Sequence, residues 1–248
     1  MGSDDRCANC GAALAGPYCA LCGQRARELD STAALVREAL DEIFTLEGRP
    51  VRTLRCLLLK PGLVAAEYIG GRRRSYTPPV RLFLSASAAF FFTFMATRPV
   101  AGRYYGYDST GAESYADTMS TALIVILPLA AVVLKAFYVR PARPLVQHLV
   151  FALYSGSTAL LWFLILMLGA AALRAWFGHY SASPAWLPDF VIWLYMPGLA
   201  LFAGHLAAAL RRTYGSSWAG SVFRSIGLIT VIGALTLVAL PRLLAVLK

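Results

Sequence analysis

Four of the five cysteines form two short repeats near the N-terminus, Cys7-Ala-Asn-Cys10-Gly and Cys19-Ala-Leu-Cys22-Gly. Two Cys-x-x-Cys knuckles supply four thiolates, the ligand set that holds a tetrahedral zinc ion with Zn–S bonds of about 2.3 Å. The glycine after each second cysteine allows a tight turn that points backbone N–H groups at sulfur. The spacing therefore predicts a zinc site formed by Cys7, Cys10, Cys19 and Cys22. Four protein ligands close the coordination shell, so the zinc is expected to be structural.

Two other uses of paired cysteines fit this sequence less well. Disulfides need an oxidising compartment, but residues 1–16 contain no apolar segment typical of a secretory signal peptide, which favours a cytoplasmic N-terminus. A thioredoxin-type Cys-x-x-Cys occurs singly within a βαβ pattern, which is absent from this sequence. Cys56 lies among leucines and is interpreted as a small buried hydrophobic residue, not as a fifth ligand.

The remaining ionisable residues form no recognisable catalytic set. His148, His179 and His205 are widely spaced, and the sequence has no zinc-protease, nucleophile-elbow or phosphate-loop motif. Asp189 and His205 are expected on one helix about 24 Å apart, too far to share a proton. The sequence therefore favours a non-enzymatic role.

The composition indicates a membrane protein. Of 248 residues, 58% are hydrophobic and 15% charged, and the mean hydropathy is +0.60. A soluble domain has about 25% charged residues. The net charge of +10 could also suit nucleic acid, but many arginines flank apolar segments, where they set topology and contact anionic lipid. Nucleic-acid binding is therefore disfavoured.

Five apolar segments approach or exceed the length of about 20 residues that a membrane-crossing helix needs, namely 79–97, 119–139, 149–173, 186–210 and 222–247. Arginine and lysine are concentrated before the first segment and in the second and fourth connections, as expected for cytoplasmic loops. The pattern predicts an all-α polytopic inner-membrane protein with its N-terminus in the cytoplasm and its C-terminus in the periplasm. A re-entrant first segment is the alternative, and it would invert the topology.

Prolines occur within three of the predicted spans. Pro128, Pro197 and Pro241 are expected to interrupt their helices. Breaks of this kind line binding cavities in transporters, but proline is also frequent in membrane helices of every kind. The second interpretation is favoured.

The segment before the first span is amphipathic and basic. Residues 35–44 predict an amphipathic helix, and residues 51–59 predict a second, basic one. Arg72, Arg73, Arg74 and Arg81 are candidates for binding anionic lipid headgroups. The alternative is that they only fix topology.

The order of these motifs resembles a known family. Its features are the double ribbon ending in Cys22-Gly23-Gln24, Leu46-Glu-Gly-Arg49, Glu67-Tyr-Ile-Gly-Gly-Arg-Arg73 and Tyr76-Thr-Pro-Pro79. The combination resembles bacterial zinc-ribbon membrane proteins grouped as domain of unknown function 3667. The resemblance implies a bacterial inner-membrane protein and no established activity. It adds weight to a shared juxtamembrane element, a turn that clamps the first membrane helix, with Gly62, Tyr68, Gly70, Arg72, Tyr76 and Pro78.

The sequence thus divides into a zinc ribbon (1–28), a juxtamembrane region (29–78) and a membrane bundle (79–248). The leading hypothesis is a scaffold, sensor or adaptor that binds a cytosolic protein or a second copy of itself. The alternative is a small transporter or membrane-embedded enzyme with a cavity between proline-broken helices.

Overall fold

The computed structural model of the chain describes residues 6–25, 49–105, 125–139, 143–179 and 187–235, without the side chains of 98–105, 174, 177–179 and 187–195. The predicted helix at 35–44 lies outside these ranges. So do residues 119–124 of the second predicted span and residues 236–247 of the fifth. The described residues contain seven α-helices and no β-strand. The predicted all-α class is therefore confirmed for the described residues.

The helices are numbered here in chain order. They are α1 (Arg49–Leu59), α2 (Leu63–Ile69), α3 (Pro79–Tyr105), α4 (Val125–Phe137), α5 (Leu145–His179), α6 (Leu187–Tyr214) and α7 (Trp218–Ala234).

Two helices contain segments long and apolar enough to cross a membrane, Pro79–Thr97 in α3 and Leu145–Leu173 in α5. Only 17% of the most apolar stretch of the α3 segment, and 22% of that of the α5 segment, is buried inside the protein. A core helix of a soluble protein would bury most of that surface, so the exposed apolar surface favours association with a membrane. The other three predicted spans overlap α4, α6 and α7, of which α4 and α7 are shorter apolar helices in the described residues.

The long helices and α7 pack side by side. α3 contacts α5, α5 contacts α6, and α6 contacts α7. Tyr138, just after α4, stacks on Tyr214, the last residue of α6, with ring centroids 3.9 Å apart. Arg143, just before α5, donates a hydrogen bond to the carbonyl oxygen of Thr213. These contacts bring the end of α4, the start of α5 and the end of α6 together at one end of the bundle, so α5 runs opposite to both α4 and α6.

The α1–α2 hairpin packs against α5 and α6 at this end. Its turn has Gly62 at φ 73°, a left-handed conformation that glycine adopts without strain. A β-carbon on Gly62 would lie 2.6 Å from the carbonyl oxygen of Ala209 in α6. Next to it, Arg212 donates a 3.0 Å hydrogen bond to the carbonyl oxygen of Pro61. The turn is therefore in main-chain contact with α6.

The expectation that prolines interrupt the helices is wrong at two positions. α4 continues through Pro128, and α6 continues through Pro197. A proline removes one backbone hydrogen bond, a loss that a membrane helix tolerates when neighbouring groups compensate. Pro241 lies outside the described residues.

Candidate metal centre

The two cysteine knuckles have the same backbone geometry. In the first, the N–H of Cys7 donates to the carbonyl oxygen of Ala12, and the N–H of Gly11 donates to that of Cys7, both at 2.8 Å. In the second, the N–H of Cys19 donates to the carbonyl oxygen of Gln24, and the N–H of Gly23 donates to the carbonyl oxygen of Cys19, again both at 2.8 Å.

Both turns depend on glycine. Gly11 has φ 77° and Gly23 has φ 69°, so each second cysteine is followed by a left-handed residue. One isolated antiparallel bridge closes each knuckle. The ribbon is thus a pair of nearly identical loops that face each other through their sulfur atoms.

The four sulfur atoms are close enough to hold one metal ion. Those of Cys7, Cys10, Cys19 and Cys22 all lie within 4.8 Å of one another. The nearest pairs, Cys7–Cys22 and Cys10–Cys19, are 3.5 Å apart, and all four are free thiols. A tetrahedral ion with metal–sulfur bonds of about 2.3 Å separates its sulfur ligands by roughly 3.8 Å. The cluster therefore has the size of a closed four-thiolate site.

The electrostatics of the four sulfurs also favour a cation. The backbone N–H of Cys22 donates to the Cys19 sulfur, which lowers the pKa of that thiol to about 7. At Cys10, the N–H of Ala12 favours the thiolate, but desolvation and the neighbouring sulfurs outweigh it and raise the pKa to about 12. The cluster resists further ionisation after its first thiolate forms, and a bound divalent cation removes that resistance.

Gln24 joins the ribbon to the loop that precedes α3. Its side-chain N–H donates to the carbonyl oxygen of Gly71 at 2.6 Å. Its side-chain oxygen accepts from the backbone N–H groups of Arg73 and Arg74, both at 3.1 Å. Gln24 is buried, and the backbone bond to Cys19 fixes it to the second knuckle. One amide side chain thus holds three backbone groups of a loop almost fifty residues away.

The first knuckle touches the same loop. Ser75 donates a 2.8 Å hydrogen bond to the side-chain oxygen of Asn9. Gly71 has φ 98°, and a β-carbon there would lie 2.8 Å from the methyl group of Ala8. The residues between Cys7 and Cys10 therefore pack directly on the loop.

The loop is held in turn by Glu67 of α2. Tyr76 donates a 2.6 Å hydrogen bond to one oxygen of the Glu67 carboxylate, and Arg72 contacts the other at 3.3 Å. Burial, together with this hydrogen bond, raises the pKa of Tyr76 to about 12. The phenol therefore stays protonated at neutral pH.

A second set of contacts ties the loop to α1 and α5. The hydroxyl of Thr53 in α1 accepts a 3.0 Å hydrogen bond from the N–H of Thr77. The hydroxyl of Tyr154 in α5 donates to the carbonyl oxygen of Thr77 at 2.7 Å, and its ring meets that of Tyr68 edge-on. Pro78 is buried, and its carbonyl oxygen accepts from the N–H of Leu82 in the first turn of α3. A continuous chain of contacts therefore runs from the ribbon to the start of α3.

The predicted juxtamembrane residues take different places in this network. Tyr68 and Tyr76 are buried in it, and Gly62 forms the turn on α6. Gly70 ends α2 with an ordinary φ of −73°, whereas Gly71 has the left-handed conformation. The sequence analysis gave no role to Gly71, Gln24 or Thr53.

The four arginines proposed for lipid are not alike. Arg72 faces Glu67. Arg73 and Arg74 use their backbone N–H groups to bind Gln24, and the Arg74 guanidinium lies beside Gly23. Arg81 is half-buried in the first turn of α3. The first three are thus part of the loop that carries the ribbon.

The histidines are not brought together with the cysteines. His148 is buried and hydrogen bonds with the Tyr214 hydroxyl at 2.9 Å. His205 meets the Trp162 ring edge-on and lines a cavity of about 10 Å³ together with Tyr154, Thr158 and Leu206. That volume holds one water molecule at most. The side chains of His179 and Asp189 lie outside the described residues. Cys56 is half-buried against the core, away from the ribbon.

Comparison with protein families gives one match. The model of a family described as "Protein of unknown function (DUF3667)" matches residues 47–91. This match confirms the resemblance stated from the sequence, over the segment that contains α1, α2, the loop and the first part of α3. No curated protein and no solved structure matches the chain.

Proposed function

We propose that this chain, whose residues 47–91 match a family of unknown function, is a non-enzymatic integral membrane scaffold or adaptor built around a structural zinc ribbon. In this proposal the ribbon is a clamp: it fixes the loop through which the chain enters its first membrane helix. The bound metal gives the ribbon its shape, and Gln24 transmits that shape to the loop.

The observation that carries this proposal is the set of three hydrogen bonds from the Gln24 side chain to Gly71, Arg73 and Arg74. Gln24 follows the ligand Cys22 by two residues, so its position depends on the second knuckle. A small module of this kind has too little core to fold without its ion. Loss of the metal is therefore expected to remove Gln24 from the loop.

Zinc is the metal that best fits four cysteines. Soft thiolate ligands in a closed tetrahedral set are typical of structural zinc. Because the shell contains no open position, the ion supplies folding energy and does not activate water. A structural ion of this kind supports the proposed scaffold or adaptor role.

The second knuckle offers a surface for a partner. Its tip carries Leu21, whose side chain is 77% exposed, and Tyr18 is exposed beside it. The equivalent tip of the first knuckle, Asn9, faces the loop. We assign the contact with a cytosolic protein, or with a second copy of the chain, to the Leu21 tip.

The proposed topology has five crossings of a bacterial inner membrane, with the ribbon in the cytoplasm and the C-terminus in the periplasm. The end of the bundle that carries the hairpin also carries Arg143, Arg211, Arg212 and Arg224. Such a concentration of arginine supports a cytoplasmic location for this end. Lys60→Cys, in the hairpin turn, is expected to react with a membrane-impermeant thiol reagent only after intact cells are permeabilised. Labelling before permeabilisation would contradict the topology.

The observations give less support to a transporter or membrane enzyme. The helices continue through Pro128 and Pro197, and the cavity beside His205 has room for about one water molecule. A substrate site between proline-broken helices needs a polar space many times larger.

The ribbon proposal is tested by removing two ligands. Cys10→Ser with Cys22→Ser is expected to abolish zinc, measured by elemental mass spectrometry of the full-length protein purified in mild detergent under reducing conditions. Amide hydrogen exchange at Arg73 and Arg74 is expected to accelerate, while far-ultraviolet circular dichroism retains the helical signal. Cys56→Ser is the matched control and is expected to keep one zinc per chain. Unchanged exchange at Arg73 and Arg74 after metal loss would refute the clamp.

A further inference from the structure

The outer face of α1 combines cations with large aliphatic side chains. Arg52 and Arg55 are exposed there, and Val51 and Leu59 are 72% and 68% exposed. Val51, Arg55 and Leu59 are spaced four residues apart, so they form one line along the helix. Lys60 continues this face just after the helix ends. We call these five residues the α1 outer face.

The position of α1 is fixed at both of its ends. Thr53, near its start, is hydrogen bonded to Thr77, two residues before the apolar segment Pro79–Thr97 begins. The turn after it contacts Ala209 and Arg212, near the last residue of α6. α1 therefore lies level with the boundary of the apolar surface, not along its middle.

The charge on this part of the molecule is of one sign. Glu67 is the only carboxylate among the side chains that the structure describes, and Tyr76 and Arg72 occupy its two oxygens. Arg55 and Lys60 form no side-chain hydrogen bond or ion pair with any other described residue. Both side chains are exposed, so they can contact an anion from outside the described part of the chain.

We propose that the α1 outer face binds the headgroups of anionic phospholipids, with Arg55 and Lys60 contacting phosphate and with Val51 and Leu59 inserted between the headgroups. A free phosphate would satisfy the cations but would leave both aliphatic side chains in water. A bilayer surface satisfies both, which is the arrangement of an amphipathic helix lying in the interface. Arg52 also contacts the protein itself, since its guanidinium lies 5.5 Å from the centre of the Tyr76 ring. The inference rests on the membrane part of the proposed function and is independent of the zinc ribbon.

The test uses the full-length protein purified in mild detergent and native mass spectrometry. Phosphatidylglycerol and phosphatidylcholine with identical acyl chains are titrated separately, and bound lipid is counted. The wild type is expected to retain phosphatidylglycerol in preference to phosphatidylcholine. Each cation near an anionic surface strengthens binding roughly fivefold, so Arg55→Gln with Lys60→Gln is expected to weaken phosphatidylglycerol binding by roughly 25-fold.

The matched control removes two cations from the ribbon instead. Arg6→Gln with Arg25→Gln lowers the net charge equally and is expected to leave the lipid preference unchanged. Val51→Ser with Leu59→Ser keeps the charge and is expected to weaken both lipids. Inorganic phosphate at millimolar concentration is expected not to displace phosphatidylglycerol from the wild type, and displacement would indicate a free-anion site.

Three outcomes overturn the inference: equal retention of the two lipids by the wild type, equal weakening by the α1 and ribbon double variants, or displacement of phosphatidylglycerol by inorganic phosphate. Zinc content and thermal unfolding are measured on the same samples. A protein that keeps its zinc and its unfolding temperature but shows no lipid preference rejects the α1 site and leaves the ribbon proposal intact. Loss of zinc in the wild type rejects the ribbon proposal alone.

Discussion

Two left-handed glycines lie on either side of α2, Gly62 before it and Gly71 after it, and they differ in what they touch. Gly62 has φ 73° and Gly71 has φ 98°, so both adopt a conformation that strains other residues. At Gly62 the neighbouring atoms belong to the main chain of Ala209 in α6. At Gly71 the neighbour is the methyl group of Ala8, at the tip of the first knuckle.

This difference distinguishes a permanent contact from a separable one. A helix backbone inside a packed bundle cannot move away from an added side chain without disturbing its own hydrogen bonds. A knuckle whose cysteines can share one metal ion, and which meets the loop through a few contacts, can move as a unit. The hairpin is therefore part of the bundle, whereas the ribbon is a docked module.

The largest expected effect is at Gly62. Gly62→Ala places a methyl group 2.6 Å from the Ala209 carbonyl oxygen, and backbone strain adds to this clash. We expect overpacking and backbone strain together to lower the free energy of unfolding by about 2–6 kcal/mol, seen as a lower thermal unfolding temperature in detergent. Gly204→Ala, in α6 with no atom near the added group, is the control and is expected to unfold at the wild-type temperature or slightly above it, because alanine favours the helix more than glycine does. An unchanged temperature for Gly62→Ala would refute the main-chain contact.

The next effect is at Gln24 and is confined to the ribbon. Gln24→Ala removes three hydrogen bonds, worth about 1 kcal/mol each, so ribbon docking weakens by about 3 kcal/mol. Amide exchange at residues 71–75 should accelerate, while zinc content and the bundle's unfolding temperature stay unchanged. Gln24→Glu keeps the acceptor for Arg73 and Arg74 but cannot donate to Gly71. Its amide exchange rate at residues 71–75 should therefore lie between those of the wild type and Gln24→Ala. A fall in the bundle's unfolding temperature would show that the ribbon is not separable.

Gly71→Ala is the direct counterpart of Gly62→Ala. The left-handed backbone conformation costs about 2 kcal/mol for alanine, and the clash with Ala8 is relieved if the first knuckle moves away as a unit. We expect faster amide exchange at residues 71–75 and an unfolding temperature close to that of the wild type. Gly16→Ala, in the ribbon with open space around it, is the matched control. If Gly71→Ala lowered the unfolding temperature as much as Gly62→Ala, the two contacts would be equivalent.

The smallest effect is at Tyr76, which joins the loop that carries the ribbon to Glu67 in the hairpin. Tyr76→Phe removes the hydrogen bond to Glu67 and is expected to cost about 1 kcal/mol at neutral pH. Folding raises the pKa of Tyr76 above its usual value of 10.0, to about 12. The folded state therefore binds this proton more tightly, so the wild-type advantage is complete below pH 10 and is lost as the pH approaches 12. Thermal unfolding of both proteins across this range tests it. A difference that does not shrink would place the stabilisation elsewhere.

The four-cysteine cluster was predictable because its information is local. Cysteine spacing and the two following glycines determine a knuckle within a few residues, and the structure brings all four sulfurs together. The all-α class followed from composition, and the family segment followed from a run of motifs.

The docking contacts were not predictable because their partners are distant in sequence. The role of Gln24 depends on backbone groups at 71–74, and that of Thr53 depends on Thr77. Gly70 and Gly71 are adjacent and look alike in sequence, and only the path of the loop shows that Gly71 is left-handed. A proline in a sequence indicates that one backbone hydrogen bond is lost, but it does not indicate which neighbouring groups compensate for the loss. The sequence therefore predicted helix breaks at Pro128 and Pro197 that the structure does not have.

The bond between Gln24 and the loop also has a consequence for biosynthesis. Residues 6–25 leave the ribosome before residues 71–74, and N-terminal modules generally fold first. In the proposed function, a ribbon that has already taken up its ion serves as a template on which the emerging loop is shaped, just as the first apolar helix reaches the membrane. Cells starved of metal during synthesis should therefore accumulate chains whose first helix inserts late, even if zinc is restored afterwards.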